Sequence, residues 1–265
     1  MGLLTGKVAI VTGAADGMGR AIAKRFREEG ARVLATDVDA AGLRSGFADD
    51  DEVATVVTDI TAEDAAATIV DTALERFGRL DIVVNAAGIF RLLPLDDLDF
   101  TECSRIWAVN LDAPLRLCVR ALPALKASGA GRIVNIASVS ASRARSGFGP
   151  YTISKHALAG LTISLAVEFG PYGITANSID PGPILTGITR PLMADPEWRR
   201  DLESQGVLNR IGSVEEIAEA ALYLVGPHSG FTTGHALAVD GGFLVKYPER
   251  LSGGPTADVS MKEGA

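Results

Sequence analysis

The chain has 265 residues, 47% apolar and 22% charged, a balance that supports a sizeable buried core and argues against an unstructured polypeptide. Its 33 acidic side chains outnumber 25 basic ones, for a formal charge of −8, and without clustered Lys and Arg to neutralise phosphates nucleic acid is set aside as a partner. The apolar run at residues 8–11 is too short for a signal segment or a membrane span, so no membrane partner is expected and a cytoplasmic location is.

In chain order, short β-branched runs at residues 8–11, 32–36, 53–58, 80–85, 132–137, 174–179 and 236–239 predict seven strands. Helical periodicity fills most of the gaps, at 18–29, 62–77, 101–126, 151–169 and 214–225. Such alternation requires right-handed crossovers and a parallel sheet flanked by helices on both faces, which is a doubly wound α/β fold. No linker, composition break or fixed repeat divides the chain, so residues 1–247 read as one domain.

Two stretches depart from the alternation. Residues 181–211 carry four prolines and a short amphipathic run at 197–205, which predicts an excursion from the sheet and a substrate lid over about 183–210. Residues 248–265 lack apolar periodicity and are expected to form a flexible tail. Cys103 and Cys118 are the only cysteines, and so sparse a usage suits buried free thiols in a reducing compartment, a disulfide being the alternative. His156, His228 and His235 have no metal-ligand spacing, and no metal is expected.

The first strand runs into Thr12-Gly13-Ala14-Ala15-Asp16-Gly17-Met18-Gly19, where a helix begins. Glycines there permit a tight turn and let backbone amides and the positive helix end approach a pyrophosphate. The spacing G-x3-G-x-G differs from the general G-x-G-x-x-G fingerprint, and a bare connecting turn is the alternative reading. Asp37 closes the second strand 18 residues beyond Gly19, where a carboxylate accepts hydrogen bonds from an adenosine ribose and repels a 2′-phosphate. Val38 adds no positive charge, and Asp16 stands where an NADP binder profits from Arg or Lys, so NAD is the expected cofactor.

Tyr151 and Lys155 open a helix after Pro150, and their four-residue spacing puts phenol and ammonium on one helical face. A phenol near pH 10 is brought toward general-base strength by an adjacent ammonium. An ordinary surface Tyr/Lys pair is the competing reading.

The glycine turn, Asn85-Ala86-Ala87-Gly88 after the fourth strand, Ser138 thirteen residues before Tyr151, and Tyr151 with Lys155 occur in an order that resembles the short-chain dehydrogenase/reductase family, from about Lys7 to Gly242. The resemblance implies a single Rossmann domain and hydride transfer between a secondary alcohol and a ketone. Ser138 would hydrogen-bond the substrate oxygen, Tyr151 would act as general acid/base, Lys155 would hold the nicotinamide ribose and lower the phenol pKa, and Asn110 would support a proton-relay water. It further implies that Gly13, Gly17, Met18 and Gly19 meet the pyrophosphate, Asp59 and Ile60 the adenine, and Ala87 and Gly88 the ribose. Asn85 would mainly brace the strands. Pro181, Gly182, Ile184 and Thr186 would lie along the nicotinamide.

Asp180 departs from the small or amide residue expected before Pro-Gly, and Asp240-Gly241-Gly242 resembles a closing element that packs in a homotetramer or homodimer. Substrate choice falls to loops around Phe90-Arg91, 140–148 and 188–208. Arg91, Arg143 and Arg145 are candidates for gripping a carboxylate, and Phe148, Trp198, Leu192 and Met193 for an apolar pocket. The expected activity is NAD-dependent oxidation of a small alcohol or reduction of its carbonyl. The alternatives are an NADPH-linked 3-oxoacyl thioester reductase, a dihydrodiol dehydrogenase, and a non-catalytic dinucleotide-binding regulator.

Overall fold

The strand β1 (Val8–Thr12) alternates its side chains between two apolar layers, with Ala9 and Val11 in one and Val8 and Ile10 in the other. A strand buried on both faces belongs inside a parallel sheet, and β1 pairs in parallel with β2 (Arg32–Asp37) and β4 (Ile82–Asn85). In this computed structural model, which describes residues 2–48, 50–187 and 189–246, β3 (Val53–Val57), β5 (Arg132–Ile136), β6 (Thr175–Pro181) and β7 (Ala236–Val239) complete one parallel sheet. Its order is β3-β2-β1-β4-β5-β6-β7. The order reverses between β1 and β4, and a crevice at the carboxyl ends of strands at such a switch point is where open α/β sheets bind ligands.

One core layer is closed by α1 (Gly17–Glu28), α2 (Ala40–Phe47) and α9 (Val214–Val225), the other by α3 (Ala65–Phe77), α5 (Ala113–Ser128) and α6 (Gly149–Phe169). The remaining helices are α4 (Phe100–Trp107), α7 (Arg190–Met193) and α8 (Pro196–Gln205). No described helix is long and apolar enough to cross a membrane. Both Cys103 and Cys118 are buried free thiols, and burial pushes the Cys118 thiol up to about 12.

The seven-stranded architecture agrees with the expectation, and the differences are local. The two-glycine segment of α2 hides its helix from propensity, yet Asp39 caps it and Leu43 and Phe47 bury its inner face. The expected helix over 101–126 is divided into α4, a π-helical turn (Ala108–Asp112) and α5. Pro114 has no N–H to offer the Asn110 carbonyl four residues back, and the Ala113 N–H reaches the Ala108 carbonyl instead, which widens the turn. Residues 190–205 form the short helices α7 and α8 where the lid was expected, whereas the tail at 248–265 lies outside the described residues.

Candidate active site

The turn after β1 is shaped by positions that tolerate no side chain. Gly13 and Gly17 have φ of 67° and 57°, in the region that favours glycine. A Cβ on Gly13 would stand 2.8 Å from Ala87 Cα, and one on Gly19 would stand 2.2 Å from the Gly13 carbonyl oxygen. What this leaves open is a groove of about 660 Å³ along the switch point, bordered by Gly13, Asp16, Gly17, Met18, Gly19, Asp37, Val38, Asp59, Ile60, Ala87 and Gly88. The shape and the bare amides at the start of α1 fit a dinucleotide with its pyrophosphate at the helix end.

Asp37 is held at the far end of this groove. Its Oδ2 accepts from the Ala15 N–H and its Oδ1 from the Asp39 N–H, both at 3.0 Å. Asp59 accepts from the Thr61 N–H and hydroxyl at 2.9 and 2.8 Å, and these bonds hold its carboxyl below the usual range. Thr12, which opens the glycine turn but was given no role from the sequence, receives the Ala86 and Ala87 N–H groups on its hydroxyl at 3.1 Å each and thereby fixes the loop after β4. A short polar side chain closing the first strand was its only sequence signal.

A second cavity of about 110 Å³ joins the groove through Met18, Gly88 and Thr186, which border both. Ser138, Tyr151, Lys155, Pro181, Gly182 and Ile184 converge on it from the ends of β5 and β6 and the first turns of α6. Ser138 also receives the Ser140 N–H at 3.0 Å, so it is a turn cap as well as a cavity residue. Thr189, unremarkable in the sequence, donates to the Ile184 carbonyl at 2.6 Å and accepts from the Thr186 N–H at 2.9 Å, which shapes the turn on that side.

Lys155 is buried, and its Nζ donates to the Ile136 carbonyl at 2.8 Å. Burial lowers its pKa to about 8, opposed by the carboxylate of Asp180. Tyr151 responds in the opposite sense to the expectation: burial raises its phenol pKa, with the Ser138 hydroxyl working against that rise. Lys155 Nζ lies 5.6 Å from the Tyr151 ring centroid.

Asn110 sits in the π-helical turn, buried, outside both cavities. Its Oδ1 accepts from the Ile89 N–H at 2.9 Å and its Nδ2 donates to the Ile89 carbonyl and to Ser154 Oγ, each at 3.0 Å. A Cβ on Gly88 would lie 3.4 Å from Asn110 Oδ1 and 3.6 Å from Lys155 Nζ, so both groups border the same glycine. Asn85 belongs to a buried chain in which it donates to Asn135 Oδ1 and Asn135 donates to Thr162 Oγ1, both at 2.8 Å, linking β4, β5 and α6.

Asp180 is buried on the sheet face that also carries Ser178, whose hydroxyl donates to it at 3.2 Å. The three arginines singled out for a carboxylate substrate are engaged within the chain. Arg143 donates to the Phe243 carbonyl at 2.7 Å and lies over its ring, Arg145 stacks 4.1 Å from the Trp198 ring centroid and pairs with Asp201 at 3.3 Å, and Arg91 donates to the Phe90 carbonyl at 3.0 Å. Arg145 therefore ties α8 to the loop that precedes Tyr151.

A family model described as "Enoyl-(Acyl carrier protein) reductase" matches residues 13–244. The chain is 36% identical over 249 residues to gluconate 5-dehydrogenase of Gluconobacter oxydans, covering 91% of this chain and 96% of the relative. It is 35% identical to 3beta-hydroxysteroid dehydrogenase 2 of Eggerthella lenta, over 91% and 96% of the two chains. Among solved structures, one from Beutenbergia cavernae, described as an NAD(P)-dependent gluconate 5-dehydrogenase with NADP bound at low occupancy, superposes with a TM-score of 0.86. It shares 34% identity over 92% of this chain and 98% of that one.

Proposed function

The chain belongs to the short-chain dehydrogenase/reductase family and is an oxidoreductase using a nicotinamide dinucleotide, and on that premise we propose that it interconverts a secondary alcohol and a ketone with NAD. The observation that carries this reading is the convergence of Ser138, Tyr151 and Lys155 on one small cavity that opens into the glycine-lined groove.

The bound cofactor would be held by the amides at the start of α1, Asp37, Ala87, Gly88 and the Ile184–Thr186 turn, and it supplies the hydride acceptor. Ser138 donates a hydrogen bond to the substrate oxygen, where charge develops as the alcohol proton leaves. Tyr151 takes that proton as general base and returns it in the reverse direction. Lys155, pinned on the Ile136 carbonyl, keeps a positive charge within reach of the phenol and the ribose. Asn110 secures the Ile89 backbone, and support of a relay water is assigned to it as part of this reading.

Preference for NAD is supported by the charge along the groove: Asp16, Asp37, Asp39 and Asp59 border it, against the single basic side chain of Arg105. A 2′-phosphate would meet the fixed Asp37 carboxylate. The NADP in the Beutenbergia cavernae structure favours the second reading, an NADP-linked enzyme of the same chemistry. Measuring the affinity of the purified protein for NAD and NADP decides between them, and tighter NADP binding would replace the first reading with the second.

The protein also reads as a cytoplasmic homodimer or homotetramer. Leu115 and Val119 on α5 and Ile163 and Val167 on α6 are exposed apolar residues one turn apart on neighbouring helices, a surface suited to a second copy. Light scattering giving a monomer mass would remove that part of the reading.

A further inference from the structure

We propose that the reaction site selects an apolar, ring-bearing secondary alcohol over a polyhydroxy acid, and that Phe90, braced by Phe148, makes the selection. This rests on Ser138, Tyr151 and Lys155 being the reaction centre.

Three rings form one cluster at the reacting phenol. Phe90 stands edge-on to Tyr151 with centroids 5.1 Å apart and planes at 87°, Phe148 lies 4.7 Å from Phe90, and Phe148 is itself 6.5 Å from Tyr151. Phe90 borders the cavity, and Phe148, outside its lining, braces the Phe90 ring. The two loops that carry it are tied by the Leu93 N–H donating to the Gly147 carbonyl at 2.8 Å. Leu95 packs beside Gly149, where an added Cβ would crowd its Cδ2.

Ile89 adjoins Phe90 on the same wall, whereas Met18, Ile184, Thr186 and Thr189 line the cavity where the cofactor would lie. A polyhydroxy acid entering there would lose water from several hydroxyls and a carboxylate, each of which needs a partner to offset its desolvation. None of the three arginines considered for a carboxylate borders this cavity, and each is drawn elsewhere in the chain: Arg143 to Phe243, Arg145 to Trp198 and Asp201, and Arg91 to the Phe90 carbonyl. Arg190 at the start of α7 and Arg200 on α8, both exposed, are the lid cations without a side-chain partner among the described residues. A flat apolar substituent needs no such partner and gains contact with the rings.

The test is NADH production by the full chain with 1-phenylethanol and 1-tetralol against D-gluconate and D-threitol, repeated in Phe148→Ala and Phe148→Leu. The expected result is kcat/KM at least about tenfold higher for the ring-bearing pair, a ratio that collapses through KM in Phe148→Ala and largely returns in Phe148→Leu. Faster turnover of gluconate or threitol overturns the proposal, and loss of that turnover in Arg190→Ala would place a carboxylate anchor on the lid instead. An unchanged ratio in Phe148→Ala also overturns it. Failure of the underlying reading looks different: NAD binds, neither class of alcohol yields NADH, and acetophenone leaves the fluorescence of bound NADH unaltered, in which case both fall.

Discussion

Asn110 grips the backbone of Ile89 from both sides, accepting its N–H at 2.9 Å and donating to its carbonyl at 3.0 Å. The same amide donates to Ser154 Oγ, which donates to the Tyr151 carbonyl at 2.7 Å, so one side chain couples the loop after β4 to the first turn of α6. Asn110→Ala strips partners from this buried set, and leaving such groups unpaired costs about 1–3 kcal/mol. Urea unfolding is expected to show that loss, together with a fall in turnover. Asn110→Asp, which sets a buried carboxylate oxygen against the Ile89 carbonyl, is expected to cost at least as much. Unchanged stability and turnover in Asn110→Ala would show that the loop holds without it.

Asp37 is anchored by two backbone amides, so in the proposed reading its carboxylate would meet the cofactor in a fixed orientation. Asp37→Ser is expected to weaken NAD binding by about tenfold to a hundredfold, the range of a hydrogen bond to a charged group, while weakening NADP less or strengthening it. Isothermal calorimetry on both cofactors reads the ratio. Equal affinities in the unsubstituted protein would remove the basis for NAD selection.

Much of this arrangement was legible in the sequence because it is set by local chain chemistry. The alternation that marks β1, the glycines of its turn and the four-residue spacing of Tyr151 and Lys155 each specify a local shape. Partners distant in the chain are what the sequence concealed. Arg143 finds Phe243 a hundred residues away, and Arg145 finds Trp198 and Asp201, pairings that no spacing encodes. The π-helical turn was visible in principle, since Pro114 removes the N–H that the Asn110 carbonyl would need, but apolar periodicity runs straight through it. The direction of the Tyr151 shift depends on the desolvation of its ring beside Phe90 and Phe148, which a helical wheel does not contain.

Tyr151→Phe deletes the hydroxyl and leaves the ring in its cluster with Phe90 and Phe148, so folding and cofactor binding are expected to be retained. Turnover is expected to fall by about 100-fold to 10,000-fold, the usual worth of a positioned general acid/base. Cofactor affinity and kcat measured on the same preparation separate the two effects. Near-normal kcat would take the proton transfer away from Tyr151.

Lys155 and Asp180 together predict a pH dependence whose sign can be worked out. Burial lowers the Lys155 pKa to about 8, whereas a lysine in the unfolded chain titrates near ~10.4. Between those values the unfolded chain holds a proton that the native protein has released, so this group makes stability rise with pH across that window, and its cost to folding is fully present below it. The Asp180 carboxylate favours the ammonium, while its own burial raises its pKa. Ser178 and His235 favour its charged form, and Asp240 opposes it. Asp180→Asn keeps the size and an acceptor for the Ser178 hydroxyl but removes the charge, so Lys155 should lose its proton at lower pH. If the reaction needs the ammonium, kcat/KM falls above about pH 8 in the unsubstituted enzyme, and in Asp180→Asn the same limb moves toward lower pH. A pH–rate profile with cofactor saturating at each point reads the shift. An alkaline limb that stays in place would show that Asp180 does not set the charge of Lys155, and no alkaline limb at all would mean that the ammonium is not required.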